Sequence, residues 1–167
     1  MGYDPFMVEI SLTTFINAPQ KRVFDLARSI DAHTASTSKT KERAVDGVTA
    51  GLIGSGETVT WEARHLGIRQ RLKVRVTEYK RPIMFTDEMV FGAFKSMKHT
   101  HRFNPIEGGT EMTDELFFEA PLGILGIIIE QVLLGWYMKR FLVERNRVLK
   151  ELAESDQWQR FAEDSSE

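Results

Sequence analysis

The chain has 167 residues, of which 42% are hydrophobic, and its formal net charge is −2. This length and hydrophobic content suffice for one globular domain with a buried core, and they are short for two. The balanced charge provides no basic field, so we expect no nucleic-acid partner. The absence of cysteine excludes disulfides and thiol catalysis, and it is compatible with the reducing cytosol, where we place the protein.

The chain opens with a strand and continues with helical patterns. Apolar and polar residues alternate over residues 8–16, which predicts a strand with its even-numbered side chains inward. Pro19 suits the first turn of a helix, and apolar residues recur at helical spacing over residues 20–29. Asp31 is a candidate cap for a further helical turn ending at Ser36. We therefore predict two short helices after the first strand.

Three glycines then follow closely, at Gly51, Gly54 and Gly56. A glycine-rich loop can bind phosphate when a helix N-terminus follows it. Here the residues that follow have the pattern of a strand. We interpret the glycines as a flexible hairpin loop.

Two strands are predicted over residues 57–65 and 68–79, joined by a two-residue turn. In this register Trp61 lies opposite Leu72, and opposite charges meet on the other face. The separation of apolar and charged pairs by face supports the register.

The next predicted strand, residues 83–91, carries an acid among apolar side chains. Alternation puts Phe85, Asp87, Met89 and Phe91 on one inward face. Asp87 is therefore expected to point into the protein, where a charged group normally needs a partner or water.

A second hairpin is predicted between residues 95–104 and 110–119. A register that brings opposite charges together on the outer face pairs Arg102 with Glu115. It directs His99, His101 and Asp114 inward, towards the C-terminal segment. The inward pairs in this register are His99 with Phe118, His101 with Leu116, and Phe103 with Asp114.

A long helix is predicted over residues 121–155, where apolar residues recur at helical spacing, and it would be roughly 45 Å long. Its first half is apolar nearly all round, with Glu130 as the charged exception. Its second half is amphipathic, with Arg145 among the charged residues expected on the wet side. The most apolar window, residues 122–138, is marginal for a bilayer, so we expect a buried helix and no transmembrane segment. Residues 156–167 are polar and are expected to fray.

This order of elements resembles the START-like, or SRPBCC, superfamily, and in particular its small bacterial single-domain proteins of the polyketide cyclase/dehydrase and lipid-transport type. The resemblance is carried by Phe85, Asp87, Met89, Gly92, Phe94, His99, His101, Phe103, Gly109, Thr110, Asp114, Pro121, Gly123 and Arg145. It implies an α+β helix-grip fold: a curved antiparallel sheet of six to seven strands around a long C-terminal helix, with two short helices after the first strand. We expect one domain over residues 1–167, with its core at about 7–155. The family's hydrophobic cavity would lie between sheet and helix.

The inward residues Asp87, His99, His101 and Asp114 allow three interpretations. They could form a polar network that only holds the fold together, because buried polar groups are usually satisfied structurally. They could bind the polar end of an apolar ligand. A carboxylate-paired histidine could also act as an acid or base on a bound carbonyl compound.

The candidate ligand-binding residues combine these polar groups with aromatic and methionine side chains, which suit an adaptable apolar pocket. They are Trp61, Asp87, Met89, Phe91, Phe94, Met97, His99, His101, Asp114 and Trp136. His33 is interpreted as a surface residue. The spacing of His99 and His101 is workable for a metal, but strand alternation alone produces it, so we expect neither metal nor cofactor.

We therefore favour a cytosolic protein that binds a hydrophobic small molecule or lipid without catalysis. Whether it is an enzyme is left open, and the pattern leans against it. The first alternative is a cyclase/dehydratase-like enzyme that uses His/Asp acid–base chemistry. The second is an interaction module that docks weakly on a protein or a membrane surface through the apolar start of the long helix, residues 122–129.

Overall fold

The computed structural model describes residues 7–65, 67–119 and 127–162, with only the backbone of residues 65 and 127–131. Strands and helices follow the predicted order. The strands are β1 (Met7–Ile16), β2 (Arg43–Gly47), β3 (Thr58–His65), β4 (Ile68–Lys80), β5 (Met84–Phe91), β6 (Ser96–Ile106) and β7 (Gly109–Glu119). The helices are α1 (Gln20–Ala27), α2 (Ile30–Ser36), α3 (Ile127–Ala153) and α4 (Gln159–Ala162), with 3₁₀ turns at Ser38–Thr40 and Asp156–Trp158.

All seven strands join one antiparallel sheet in the order β1-β7-β6-β5-β4-β3-β2. The sheet curves around α3, which packs against β1, α1 and α2. The predicted helix-grip fold is thereby confirmed, including the two short helices after the first strand. The even-numbered side chains of β1 are its buried or half-buried ones, because a strand with one covered face must alternate.

Helix α1 packs against the sheet through aromatic side chains. The Phe24 ring on α1 packs edge-on against Tyr79, Phe85 and Phe103, at centroid distances of 5.5, 5.6 and 5.3 Å. Ser29, and not Asp31, caps α2, because its side-chain oxygen accepts a hydrogen bond from the amide of the third residue on.

Two backbone amides of the glycine loop between β2 and β3 donate hydrogen bonds to acidic side chains of this protein. Asp31 accepts a hydrogen bond from the Gly51 amide at 2.8 Å, and Glu57 accepts one from the Gly54 amide at 2.6 Å. Acidic side chains at these amides oppose anion binding, which agrees with our interpretation of a hairpin loop.

The β3–β4 register is as predicted, with Trp61 opposite Leu72. The β6–β7 register is two residues away from the prediction, so that His101 lies opposite Asp114 and His99 opposite Leu116. A slip of two keeps every side chain on its face, so the inward assignment of both histidines survives the correction.

A β-bulge corrects the position of Phe91. On β4, Val74 pairs with Met89 and the adjacent Lys73 pairs with Phe91, so Val90 is an extra residue on β5. The extra residue turns the following side chain to the outer face. Phe91 is accordingly 50% exposed.

Helix α3 is 27 residues long, about 40 Å at the usual rise per residue. The predicted start at residues 121–126 lies outside the described residues. Val132, Leu133 and Trp136 are more than half exposed, so the expectation of burial all round is wrong here: the sheet covers only one side of the helix. Within the described ranges, no helix has the length and hydropathy needed to cross a bilayer.

The segment after α3 is partly structured, which corrects the expected fraying for residues 156–162. Ala162 is buried, and the Arg22 guanidinium lies 4.4 Å from the centre of the Trp158 ring. The remaining predicted tail, residues 163–167, lies outside the described residues.

Candidate functional site

A cavity of about 270 Å³ lies between the sheet and α3. Its walls are mainly apolar, and they come from the central strands and from one face of the helix. The apolar lining includes Val59, Trp61, Leu72, Val74, Val76, Phe85, Phe94, Met97, Leu116, Leu134, Met138, Phe141 and Leu142. Ile68 also lines the cavity and is 62% exposed, so the cavity opens near the start of β4.

Six of the ten predicted ligand-binding residues line this cavity: Trp61, Asp87, Phe94, Met97, His99 and His101. Met89 packs against the core beside the cavity, and Asp114 is fully buried behind the two histidines. Phe91 and Trp136 are corrections, because both side chains face outward. The Trp136 ring is 56% exposed and lies under the Arg140 guanidinium at 4.8 Å.

Asp114 is the centre of the polar cluster. Its Oδ1 lies 3.1 Å from His99 Nε2 and 2.7 Å from His101 Nδ1. The first contact is a hydrogen bond, and the second is a close ionic contact outside hydrogen-bond geometry. Two residues of α3 complete the shell: Arg145 Nη1 donates to Oδ1 at 3.4 Å, and Asn146 Nδ2 donates to Oδ2 at 2.7 Å.

His101 links the two carboxylates. Its Nε2 lies 3.3 Å from Asp87 Oδ1, while its Nδ1 faces Asp114. The ring stacks on Phe85 at 4.3 Å and lies 3.9 Å from the ring of His99. These contacts fix the ring in one orientation at the polar end of the cavity. We call Asp87, His99, His101, Asp114, Arg145 and Asn146 the inner network.

Our sequence reasoning assigned Arg145 to the wet side of the helix and did not single out Asn146. Both are buried, at 4% and 2% exposure. A signal was available: they lie between Leu142 and Leu149, three to four residues from each, on the stripe that the apolar spacing directs inward. Polar residues on a buried stripe normally have polar partners, which here include Asp114.

The carboxylates of the inner network are held ionised. Burial raises the pKa of Asp114, but the contacts with both histidines and the charge of Arg145 outweigh it and hold this pKa well below its usual range. Burial likewise raises the pKa of Asp87, and the contacts with His101 and His99 leave it below the usual value.

The two histidines shift in opposite directions. Burial and the neighbouring His101 lower the pKa of His99. Burial also lowers the pKa of His101, but its contacts with Asp114 and Asp87 dominate and raise it above the usual value. When His101 is protonated and His99 is neutral, the charges of His101 and Arg145 balance the two carboxylates, and the inner network has no net charge.

This arrangement supports hydrogen bonding and proton transfer more directly than metal binding. Ligand atoms of Asp87, His99 and His101 lie within 4.8 Å of one another, close enough to surround an ion. However, three of the four ring nitrogens already contact a carboxylate. We therefore describe the cluster as a hydrogen-bonded network that faces the cavity.

A second polar group lies elsewhere on the cavity wall, and our sequence reasoning missed it. His33 on α2 lines the cavity, which corrects its assignment to the surface. Its Nε2 lies 2.9 Å from Glu42 Oε2, and its ring stacks on Trp61 at 4.1 Å. Tyr137 of α3 lines the same region, where burial, assisted by the charge of Glu42, raises its pKa. We call the first two residues the His33–Glu42 pair.

Comparisons with solved structures show the same fold at low sequence identity. Protein TTHA0849 of Thermus thermophilus superposes with a TM-score of 0.72 at 20% identity, covering 86% of this chain and 95% of that one. The Zhui aromatase/cyclase of Streptomyces sp. R1128 gives 0.72 at 14%, covering 89% and 94%. Major latex-like protein 151 of Panax ginseng gives 0.63 at 14%, covering 90% and 99%.

No protein with a curated description matches the sequence significantly. A match to a protein family assigns the chain more directly than the structural superpositions do. The family described as "Polyketide cyclase / dehydrase and lipid transport" matches residues 7–154, most of the chain. That description fits a cavity with apolar walls and a polar end, and the chain belongs to this family.

Proposed function

We propose that the protein binds a hydrophobic small molecule or lipid in the cavity between the sheet and α3, without catalysing its conversion. The observation that carries the proposal is the cavity itself: about 270 Å³ of space with mainly apolar walls and a few ionisable side chains, among them those of the inner network. Small-molecule sites typically combine such walls with a few convergent polar groups. Trp61, Phe94 and Met97 would contact the apolar part of the ligand.

The polar end of the ligand would meet Asp87 and His99, the more exposed members of the inner network. Their side chains are 17% and 12% exposed, against 4% for His101 and none for Asp114. A hydroxyl group there can donate a hydrogen bond to the Asp87 carboxylate or to the ring nitrogen of His99 that does not face Asp114. The deeper members would hold these two side chains in place.

The test is native mass spectrometry of the purified protein, followed by extraction of any bound compound with organic solvent. We expect an apolar compound, and we expect Met97→Asp to abolish its retention because the substitution places a charge on the apolar wall. Thr13→Asp is the matched control, on the outer face of β1. A protein that stays empty against a broad lipid and polyketide panel would contradict the proposal.

A cyclase/dehydratase-like activity is the second candidate, favoured by the position of His101 between two carboxylates. A histidine held in this way can transfer a proton to a bound carbonyl compound. Substrate turnover by the His99→Ala and His101→Ala variants separates the two functions. If both variants retain full turnover of an identified substrate, these histidines are not its catalysts.

Docking on a protein or membrane surface is a third candidate. The predicted patch at residues 122–129 lies outside the described side chains, but Val132, Leu133 and Trp136 beside it are exposed. Vesicle flotation of wild type and Trp136→Ala tests it, with loss of flotation as the supporting result. We propose that the protein acts in the cytosol, which cell fractionation can check.

A further inference from the structure

Two pairs of a carboxylate and an imidazole lie at separate places along the cavity. The inner network lies where β5 and β6 face the C-terminal half of α3. The His33–Glu42 pair lies where α2 and β3 face its N-terminal half. The sheet and α3 residues that line the cavity between the two places are apolar, such as Val74, Met138 and Phe141, whereas Arg28 and Ser29 line it from the connection between α1 and α2. A ligand with one polar end would leave one of the two places unused.

Two independent estimates give the distance between these places. On α3, Tyr137, whose pKa is raised by burial and then by the charge of Glu42, and Arg145 beside Asp114 are eight residues apart, which is about 12 Å along the helix axis. On the sheet, Trp61 and His99 lie on β3 and β6, so three strand spacings, roughly 14 Å, separate them across the strands, and their offset along the strands adds to this distance. Both estimates indicate that the two places are well separated and do not form one extended polar surface.

The chemistry of the two places is alike. Each presents a carboxylate with an imidazole against it: Glu42 with His33 at 2.9 Å, and Asp87 with His101 at 3.3 Å. A hydroxyl group suits such a pair because it can donate a hydrogen bond to the carboxylate or to a ring nitrogen that does not face a carboxylate. A ligand carboxylate would instead add a second negative charge beside a partly buried one.

We propose that the His33–Glu42 pair is a second binding site for the same ligand, and that the ligand is a neutral, elongated molecule with a hydroxyl group at each end and an apolar middle. Stacking on Trp61 holds the His33 ring at the cavity wall, at a centroid distance of 4.1 Å. This inference rests on the proposed function, because it takes the cavity to be a binding site. It adds the requirement that the ligand has a hydroxyl group at each end, which binding to the inner network alone does not impose.

The experiment uses three rigid rods that differ only in their ends: 4,4′-dihydroxystilbene, 4-hydroxystilbene and 4,4′-dimethoxystilbene. Dissociation constants are measured by fluorescence titration of the purified full-length protein. We expect the dihydroxy compound to bind about tenfold more tightly than the monohydroxy compound, as one added hydrogen bond to a charged group would give. The dimethoxy compound cannot donate a hydrogen bond, so we expect it to bind no more tightly than the monohydroxy compound.

Two variants locate the gain. Glu42→Gln and His33→Phe should each reduce the ratio of the two dissociation constants to about threefold or less, because each removes one partner of the second hydroxyl. Glu151→Gln makes the same charge change at an exposed position of α3 and should leave the ratio unchanged. Circular dichroism confirms that each variant is folded, and His33→Phe keeps the stacking surface should Glu42→Gln be unstable.

The outcomes distinguish a failure of the second site from a failure of the proposed function. Equal binding of the monohydroxy and dihydroxy compounds, or a gain that survives in both variants, overturns the second site and leaves the proposed function standing. Failure of all three compounds to bind counts against the proposed function and overturns the second site with it.

Discussion

Asp114→Asn is the most informative single substitution in this protein. The carboxylate is completely buried and contacts His99, His101, Arg145 and Asn146. The amide removes the negative charge and leaves the Arg145 guanidinium, 4% exposed, beside a neutral group. Breaking a buried ion pair from one side costs about 3–5 kcal/mol, because the remaining charge loses its compensation. In a chain of this size we expect the melting temperature to fall by roughly 10 °C.

The assay is urea denaturation at pH 7, with Glu115→Gln as the matched control. Glu115 is the next residue on β7, faces outward and pairs with Arg102 at 3.1 Å with both side chains well exposed. Such a surface pair contributes less than about 1 kcal/mol. If Asp114→Asn destabilises no more than Glu115→Gln, the inner network is not the compensated charge cluster described above.

The same two variants test how the free energy of unfolding depends on pH. The pKa values of Asp87 and Asp114 lie below their ordinary value of 3.8, so their contribution to stability is complete above that pH. It is lost as the pH falls through the lowered values, because the folded state must then take up protons it disfavours. We expect the free energy of unfolding to fall with acidification below about pH 4. The fall should be shallower in Asp114→Asn and unchanged in Glu115→Gln.

Two further predictions concern the histidines and a close backbone approach. In an NMR titration, His101 should have its midpoint above 6.5 and His99 below it. His101 then stabilises the fold fully below pH 6.5 and loses this effect as the pH rises through its raised pKa, and a reversed order of midpoints would contradict the assignment. Gly109→Ala should cost at least about 2 kcal/mol, because the new Cβ would lie 2.2 Å from the Ile16 carbonyl oxygen. In Gly54→Ala the nearest atom is a flexible carboxylate at 3.3 Å, and the loss should be much smaller.

Alternation predicted which face each strand buries, but it could not predict the β6–β7 register. A slip of one residue would turn the apolar side chains to water, whereas a slip of two changes no face. Opposite charges did not decide between the two registers. Arg102 pairs with Thr113 across the strands, yet its side chain still reaches Glu115 at 3.1 Å. Long charged side chains make such contacts in more than one register, so they are poor evidence for it.

The cavity wall was harder to predict than the fold because it depends on long-range placement. Phe91 lies on the outer face because of the bulge at Val90, which the local sequence pattern does not predict. His33 reached the cavity because α2 packs beside β3 and brings its ring onto Trp61, distant in the sequence. Arg145 was predictable from its position on the buried stripe of the long helix. The residues missed are thus mainly those whose neighbours lie on another element.

The gradient of exposure within the inner network explains how one cluster can both support the fold and serve a ligand. Asp114 and Arg145, with exposures of 0% and 4%, bind each other across the interface of β7 and α3, so their charges are compensated without a guest. Asp87 and His99 project from the same cluster into the cavity, where a hydroxyl group could reach them. A ligand therefore need not supply the bonds that hold the helix on the sheet. Substitutions in the buried pair should act mainly on stability, and substitutions in the projecting pair mainly on affinity, because only the projecting side chains face the space that a ligand would occupy.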